Sequence, residues 1–439
     1  MSFITEVTVN IRNLAFGGAG VGEVASQSDG RNDLLGITAF VPFTAVGETV
    51  RARVSQRKDR YLQTELLEII STAEDRVEPK CKLFTICGGC ELQHLSYYHQ
   101  LDTKKEMLEG ALKVAKFPLS EIGKLQDVVE SAEYNYRRRI TLHVDPTGKV
   151  GFYREASRSV VATSECPVAL PSINEVLTKI QDFGREVKGK ISSILLDADD
   201  QGVVAVLKTP YALNKDECRS IMQIAKKFFT NALLMAGEKE IDGFGRQILE
   251  LPLNEKATYS LRVPAGYFSQ VNSKINSQLI AAAIKLSNIK LNQQVYDLYA
   301  GAGNFSLPFA LAGAKVTAVE CDKRLVNLGK ENISRYNLQK NLTYVESSVE
   351  KFLAARDKKS PKIELIVADP PRSGLGSMVE SINFANKLIL VSCHQPSFIR
   401  DSKNLLEQGW KLNKIIPFDM FAQTSYLEIL SYFTKDEQD

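Results

Sequence analysis

From about Asn272 onward the chain alternates between apolar, strand-like stretches and helix-like ones. Helix INSQLIAAAIKL leads to strand QQVYDLYAG, helix NFSLPFALA, strand KVTAVE, helix KRLVNLGKENISRYN, strand LTYVESS, helix VEKFLAAR and strand IELIVAD. A glycine-started helix and strand KLILVSC follow. Five strands spaced by helices predict a doubly wound, mostly parallel, Rossmann-like sheet, because parallel neighbours need a crossover and the helices supply it. Such sheets bind ligands beyond the carboxyl ends of their strands, so the residues at those ends are the candidates for chemistry.

The first strand delivers Asp297-Leu298-Tyr299-Ala300-Gly301-Ala302-Gly303-Asn304. Glycines at the turn let a ligand approach the backbone, but G-x-G without a third glycine at the dinucleotide spacing speaks against NAD. The next strand ends in Glu320, an acidic group placed to accept both hydroxyls of a ribose. Together they suit S-adenosylmethionine. The fourth strand ends in Asp369-Pro370-Pro371-Arg372. Amine-methylating enzymes with this turn place an aromatic where Arg372 stands, so the arginine argues for a phosphate or carbonyl contact.

The fifth strand ends in Cys393, followed by the polar turn His394-Gln395-Pro396 and a helix-like FIRDSKNLL. A lone cysteine is most often a small buried hydrophobe. At this strand end it is also where a nucleophile belongs. Carbon 5 of uracil is too poor a nucleophile to take a methyl group from a sulfonium, and a thiolate added to carbon 6 makes it an enolate carbon. A base must then remove the carbon 5 proton, and Glu428 in FDMFAQTSYLEILSYF is the candidate. His394 is a candidate to tune the thiol, whose ordinary pKa of about 8.5 leaves little thiolate at neutral pH.

Residues 5 to 70 read as short strands with glycine turns, a small five-stranded barrel of the oligonucleotide-binding kind. Residues 71 to 263 read as α+β, with a helix over 95 to 117 ended by Pro118 and a hairpin over 191 to 209. The domains expected are 1–72, 73–263 and 264–439. Cys81, Cys87 and Cys90 read C-x5-C-x2-C, and Cys166 follows with Pro167 behind it. One C-x2-C pair and a Cys-Pro ending favour a [4Fe–4S] cluster, with zinc the competitor. Cys218 and Cys321 read as structural.

A net charge of +3 permits a polyanionic partner without requiring one. Within YNYRRRITLHV, Arg137 and Arg138 are candidate phosphate contacts, the alternative being a solvated strand edge. No apolar run approaches the roughly 18 residues of a membrane span. The stretch MSFITEVTVNI lacks the basic flank and apolar core of a secretory signal, so a cytoplasmic protein is expected.

D-L-Y-x-G-x-G-N, the D-P-P-R-x-G-L of 369 to 375, V-S-C with R-D at 400 to 401, F-x-x-T-x-x-x-E at 421 to 428 and F-S-Q-V-N at 268 to 272 together resemble the RNA uracil-5 methyltransferases. The likeness covers nearly the whole chain. Ribosomal members of that family carry an N-terminal TRAM barrel and then a four-cysteine [4Fe–4S] site, which FGGAGVGE, AFVPFTAVGE and the cysteine spacing resemble.

The resemblance implies Cys393 as nucleophile and Glu428 as base. It implies that Gln270, Tyr299, Asn304, Glu320 and Asp369 hold S-adenosylmethionine or frame the target base, with Phe268 and Arg372 at the RNA. It also implies that the helix near 97 to 123 packs with the catalytic domain. The partner expected is structured RNA with the base flipped out of its stack, met by a monomer. A 23S ribosomal RNA uridine is expected from the two accessory modules; archaeal relatives with a cluster make a transfer RNA uridine the alternative.

A non-catalytic RNA-binding factor would be expected to have lost Cys393, Glu428 or Asp369. A DNA cytosine-5 enzyme would place its nucleophile in a Pro-Cys loop, so no DNA is expected. The chain departs from the family at His394-Gln395, where Asn-Pro is usual, and at Ser425, where histidine is usual. Ser347-Ser348 stand where an acidic contact to the adenine amine is expected.

Overall fold

The structure is a computed structural model that describes residues 5–356 and 363–435. Of the opening stretch read for a secretory signal, residues 1–4 lie outside the described residues. The chain folds as two compact units. One comprises Met1–Leu108, Phe152–Val161 and Phe421–Tyr426; the other comprises Glu109–Gly151, Ala162–Met420 and Leu427–Asp439.

The first unit is built on a closed barrel of five strands: Glu6–Leu14, Gly20–Gln27, Thr38–Val41, Thr49–Arg57 and Tyr61–Ser71. Alternation turns Val7, Val9 and Ile11 inward, where they meet Val24, Val41, Val50 and Leu62. Closure leaves no strand edge exposed. The buried Glu48 carboxylate takes a forked ion pair from Arg76, at 2.6 and 3.0 Å, which fastens the barrel to the cysteine-bearing loop.

The turn Phe421–Tyr426 completes this unit from the far end of the sequence. Gln423 O accepts from Glu91 N and Leu92 N, each at 3.1 Å. The amides of Gln100 and Gln423 bond side chain to side chain at 3.0 Å, and Gln100 Oε1 accepts from Gln423 N at 3.2 Å. Ser425 Oγ accepts from Gly17 N at 3.2 Å.

The second unit contains the predicted hairpin. Ser193–Asp199 and Gly202–Thr209 pair antiparallel, with Asp199 opposite Gly202. Helix Lys215–Phe228, started by an Asn214–Glu217 capping box, crosses to strand Ala232–Ala236, which runs parallel to Gly202–Thr209.

Its catalytic sheet has seven strands, in the order Leu342–Glu346, Lys315–Glu320, Gln294–Leu298, Ile363–Ala368, Ala385–Ser392, Glu428–Thr434, Lys411–Phe418. The first five are the predicted parallel strands. The last two form an antiparallel pair that extends the sheet beside the cysteine strand. The strand order reverses between Gln294–Leu298 and Ile363–Ala368, the switch point where such sheets open a crevice. Past the long helix Tyr97–Val114, the chain runs along the outer strand of this sheet, with Leu125 beside Ile415 and Val129 beside Phe418.

Candidate active site

One cavity opens at the carboxyl ends of the parallel strands, and Gln270, Tyr299, Asn304, Glu320 and Asp369 all line it. Phe268 stands at its rim, 74% exposed. Leu251, Leu261 and Val263, from the hairpin Ile248–Pro252 and Ser260–Pro264, give it an apolar wall.

The floor is set by how the first strand ends. Tyr299 has a φ of 63°, a conformation that strains a non-glycine residue by about 1–3 kcal/mol. The neighbouring strand holds it there: Ala300 N donates to Val319 O at 3.0 Å, and Gly301 N donates to Glu320 Oε2 at 2.9 Å. Glu320 Oε1 accepts from Cys321 N and Asp322 N, each at 2.8 Å, so the carboxylate is fixed at the cavity wall. Asn304 and Asn276 exchange amide hydrogen bonds at 2.8 and 3.0 Å. Below the glycines, Asp297 is bonded to Ser306, and burial pushes its carboxyl up to about 7.

Gln270 reaches Asp369 Oδ2 at 3.4 Å. Burial raises the Asp369 carboxyl to about 6, with that bond opposing the rise. The segment 266–271, which carries Phe268 and Gln270, is fixed from the central sheet. Arg138 N donates to Val271 O at 2.9 Å, Arg138 Nη1 donates to Ser269 Oγ at 3.0 Å, and Gly266 N donates to Asp197 Oδ2 at 3.3 Å.

This corrects one expectation. Arg138 is 1% exposed and ion-paired at 2.9 Å to the wholly buried Asp197, so it supports the segment beside the cavity and is not on a phosphate-contacting surface. Arg139, the first residue of its strand, is also bonded to Asp197, so two adjacent arginines of the run converge on one buried carboxylate. Arg137 is half-buried, its Nε bonded to Arg139 O.

The register of three strands gathers the reactive groups. Ala368 lies opposite Leu390, and Ser392 lies opposite Ile429, so Asp369, Cys393 and Glu428 terminate three adjacent strands on one edge. Burial, then the charges of Glu428 and Asp369, push the half-buried Cys393 thiol up to about 11, with Arg372 pulling the other way. Glu428 is 2% exposed; burial and the charge of Asp369 raise its carboxyl well above the usual range. Its Oε1 has no hydrogen-bond partner among the described residues, leaving an acceptor open at the reacting edge.

His394 Nδ1 shares a hydrogen bond with Ser397 Oγ at 3.1 Å, and the charge of Arg372 pulls the Cys393 thiol down. Ser348 caps the helix Val349–Ala354. Cys218 is buried, as a structural cysteine would be, whereas Cys321 is exposed. Cys81, Cys87 and Cys90 lie half-buried in the first unit, and Cys166 is half-buried in the second. Among the described residues no group of three or more His, Cys, Asp or Glu stands together as a metal site.

Sequence reasoning missed Asn276, one more polar residue on a helix until its partner Asn304 was seen. Arg400-Asp401 carries no role that the sequence alone assigns. No helix among the described residues is long and apolar enough to cross a membrane.

A doubly wound sheet with this cavity at its switch point defines an S-adenosylmethionine-dependent methyltransferase. Residues 96–436 match the family described as tRNA (Uracil-5-)-methyltransferase, and the chain belongs to that family of RNA uracil-5 methyltransferases.

It is 31% identical to the 23S rRNA (uracil(1939)-C(5))-methyltransferase RlmD of Shewanella sediminis, over 98% of this chain and 96% of that one. It is 30% identical to the protein of the same name from Vibrio parahaemolyticus, over 90% and 91%. Its fold is similar to that of the Pyrococcus abyssi tRNA (uracil-54, C5)-methyltransferase, solved in complex with S-adenosyl-L-homocysteine. That match has a TM-score of 0.74 at 22% identity, covering 99% of this chain and 100% of the other.

Proposed function

We propose that this enzyme methylates carbon 5 of a specific uridine in 23S ribosomal RNA through a covalent bond between Cys393 and carbon 6. The observation that carries the reading is the alignment of Asp369, Cys393 and Glu428 at the ends of adjacent strands, beside the cavity of Glu320 and Asn304. The names of the relatives favour the ribosomal substrate over the transfer RNA alternative.

In the cavity, Glu320 meets the ribose hydroxyls, the Gly301-Ala302-Gly303 turn lets the cofactor approach the backbone, and Tyr299 and Asn304 complete the wall. S-adenosylmethionine, when bound, supplies an electrophilic methyl group. Gln270 and Asp369 frame the uracil edge, Phe268 stacks at the RNA, and Arg137 and Arg372 take phosphate or carbonyl oxygens. The Cys393 thiolate adds to carbon 6, and the ring electrons move to carbon 5 and the carbonyl oxygen. Carbon 5 takes the methyl group as the carbon–sulfur bond of the sulfonium breaks, the bonding pair leaving with S-adenosylhomocysteine. Glu428 then removes the carbon 5 proton, and the returning electron pair expels the thiolate.

Residues 1–72 act as a TRAM-type RNA-binding barrel, 73–263 as a second RNA-gripping module, and 264–439 as the catalytic module of a cytoplasmic monomer. Cys81, Cys87, Cys90 and Cys166 hold a [4Fe–4S] cluster. Their spacing supports this, as do the amides that fix the two ends of the set: Gln93 Oε1 accepts from Cys81 N at 3.0 Å, and Asn174 bonds to Cys166 N and O at 2.8 and 3.1 Å.

Mass mapping of ribosomal and transfer RNA from a deletion strain should show one 5-methyluridine lost from 23S RNA. Loss from transfer RNA alone would overturn the substrate. Protein purified without oxygen should be brown with about four irons per chain. Colourless protein with one zinc would overturn the cluster. Cys87→Ala should lower solubility before it alters methyl transfer.

A further inference from the structure

We propose that Asp401 is a positioning residue for the reaction: it locks the loop 369–376 onto the helix behind Cys393 and so keeps Arg372 in place to act on the thiol. The inference rests on Cys393 being the nucleophile.

Asp401 lies on helix Gln395–Glu407, which begins two residues after Cys393, and it is 1% exposed. Its Oδ2 accepts from Leu375 N at 2.6 Å, and its Oδ1 accepts from Gly376 N at 3.2 Å. Oδ1 also takes Arg400 Nε at 2.9 Å and Nη2 at 2.7 Å, and that Nη2 donates onward to Ser373 O at 2.5 Å. Four donors converge on one carboxylate, which ties down Leu375 and Gly376 directly and Ser373 through Arg400. An amide could not replace it, because it offers one acceptor oxygen and turns an N–H toward donors.

The loop is shaped for this carboxylate. Gly374 has a φ of 76°, and a Cβ there would fall 2.2 Å from Asp401 Oδ2, so only glycine admits so close an approach. The loop starts at Asp369, which lines the cavity, and carries Arg372. Among the charges that act on the Cys393 thiol, those of Glu428 and Asp369 hold its proton on, and that of Arg372 favours its loss. The clamp therefore joins the ends of two neighbouring strands, one bearing the thiol and the other the cation whose charge opposes the rise in its pKa. Asp401 acts through the loop, its hydrogen bonds going to Leu375, Gly376 and Arg400.

The test is the pH dependence of Cys393 alkylation by iodoacetamide in the full-length protein, followed at that cysteine by mass spectrometry. Asp401→Asn should move the midpoint upward by about one pH unit, which is about a tenfold loss of thiolate below the midpoint. Single-turnover methylation should fall by the same factor, while S-adenosylmethionine affinity stays within about twofold. Arg372→Ala should reproduce the shift, and the double variant should shift no further, as two changes acting through one link do.

Arg400→Lys, which leaves both backbone bonds to Asp401 available, should shift the midpoint less and in the same direction; it carries the test if Asp401→Asn does not fold. An unchanged midpoint in the folded variants, or additive shifts, would overturn the proposal. Cys393→Ala run alongside separates the two levels. If it methylates normally, the nucleophile reading fails; if it is inactive and the Asp401 variant keeps its midpoint, only the clamp's role fails.

Discussion

Glu428→Gln should turn the enzyme into a trap that methylates once and stays joined to its RNA. Addition of Cys393 to carbon 6 and transfer of the methyl group need no base at carbon 5. Elimination does, because the carbon 5 proton must leave before the carbon–sulfur bond can break. Glutamine keeps the side chain's size in a position 2% exposed and removes its basicity. It also removes one of the two charges that hold the Cys393 proton on, so the first half of the reaction should not slow. With radiolabelled S-adenosylmethionine, label should run on a denaturing gel as a slow protein–RNA band that nuclease collapses. Free methylated RNA at the normal rate would assign the proton to another group. Neither adduct nor methylation would mean that Glu428 acts earlier.

Cys393→Ala should abolish turnover, by roughly ten-thousand-fold or more, as removal of a covalent nucleophile does elsewhere. Cofactor binding should survive, because Glu320, Asn304 and Tyr299 sit on other strands and line the cavity without it. Calorimetry should give a dissociation constant within about threefold of the parent's; a change of that size is below 1 kcal/mol. Methylation near the parent rate would remove covalent catalysis from the scheme. In the parent the rate should rise with pH through the alkaline range, because burial has raised both Cys393 and Glu428 above their ordinary values and both must lose a proton to act. Activity that peaked below neutrality would contradict that sign.

The catalytic half was legible because its signals are local. A strand buried on both faces reads as a run such as IELIVA, its tip is the next polar residue, and parallel topology places all tips on one edge. Cys393 and Asp369 were therefore found together. Glu428 was harder, since its strand runs the opposite way and its start, not its end, meets the cysteine. Burial of single charges was not legible: Arg137 and Arg138 look alike in sequence, and only the partner Asp197, some 60 residues away, decides which is inside. The same holds for Asn276 and Asp401, whose meaning lies in what faces them.

That the first compact unit takes in residues from far along the chain was also out of reach. Glycine turns and alternation mark the barrel, but nothing in FAQTSY announces that six residues near the end complete a unit begun at the start. That discontinuity governs the order of assembly on the ribosome. Gln100 and Gln423 are 323 positions apart, and Gly17 and Ser425 are 408 apart. At about 5–20 residues per second, the amide of Gln100 and the N–H groups of Gly17, Glu91 and Leu92 wait roughly a quarter of a minute to a minute or more for their partners. The barrel strands can close long before then, yet the unit they belong to stays unfinished. A polypeptide released early, short of Phe421, would carry a complete barrel with open donors beside it. Full-length synthesis is thus written into the fold of the part made first.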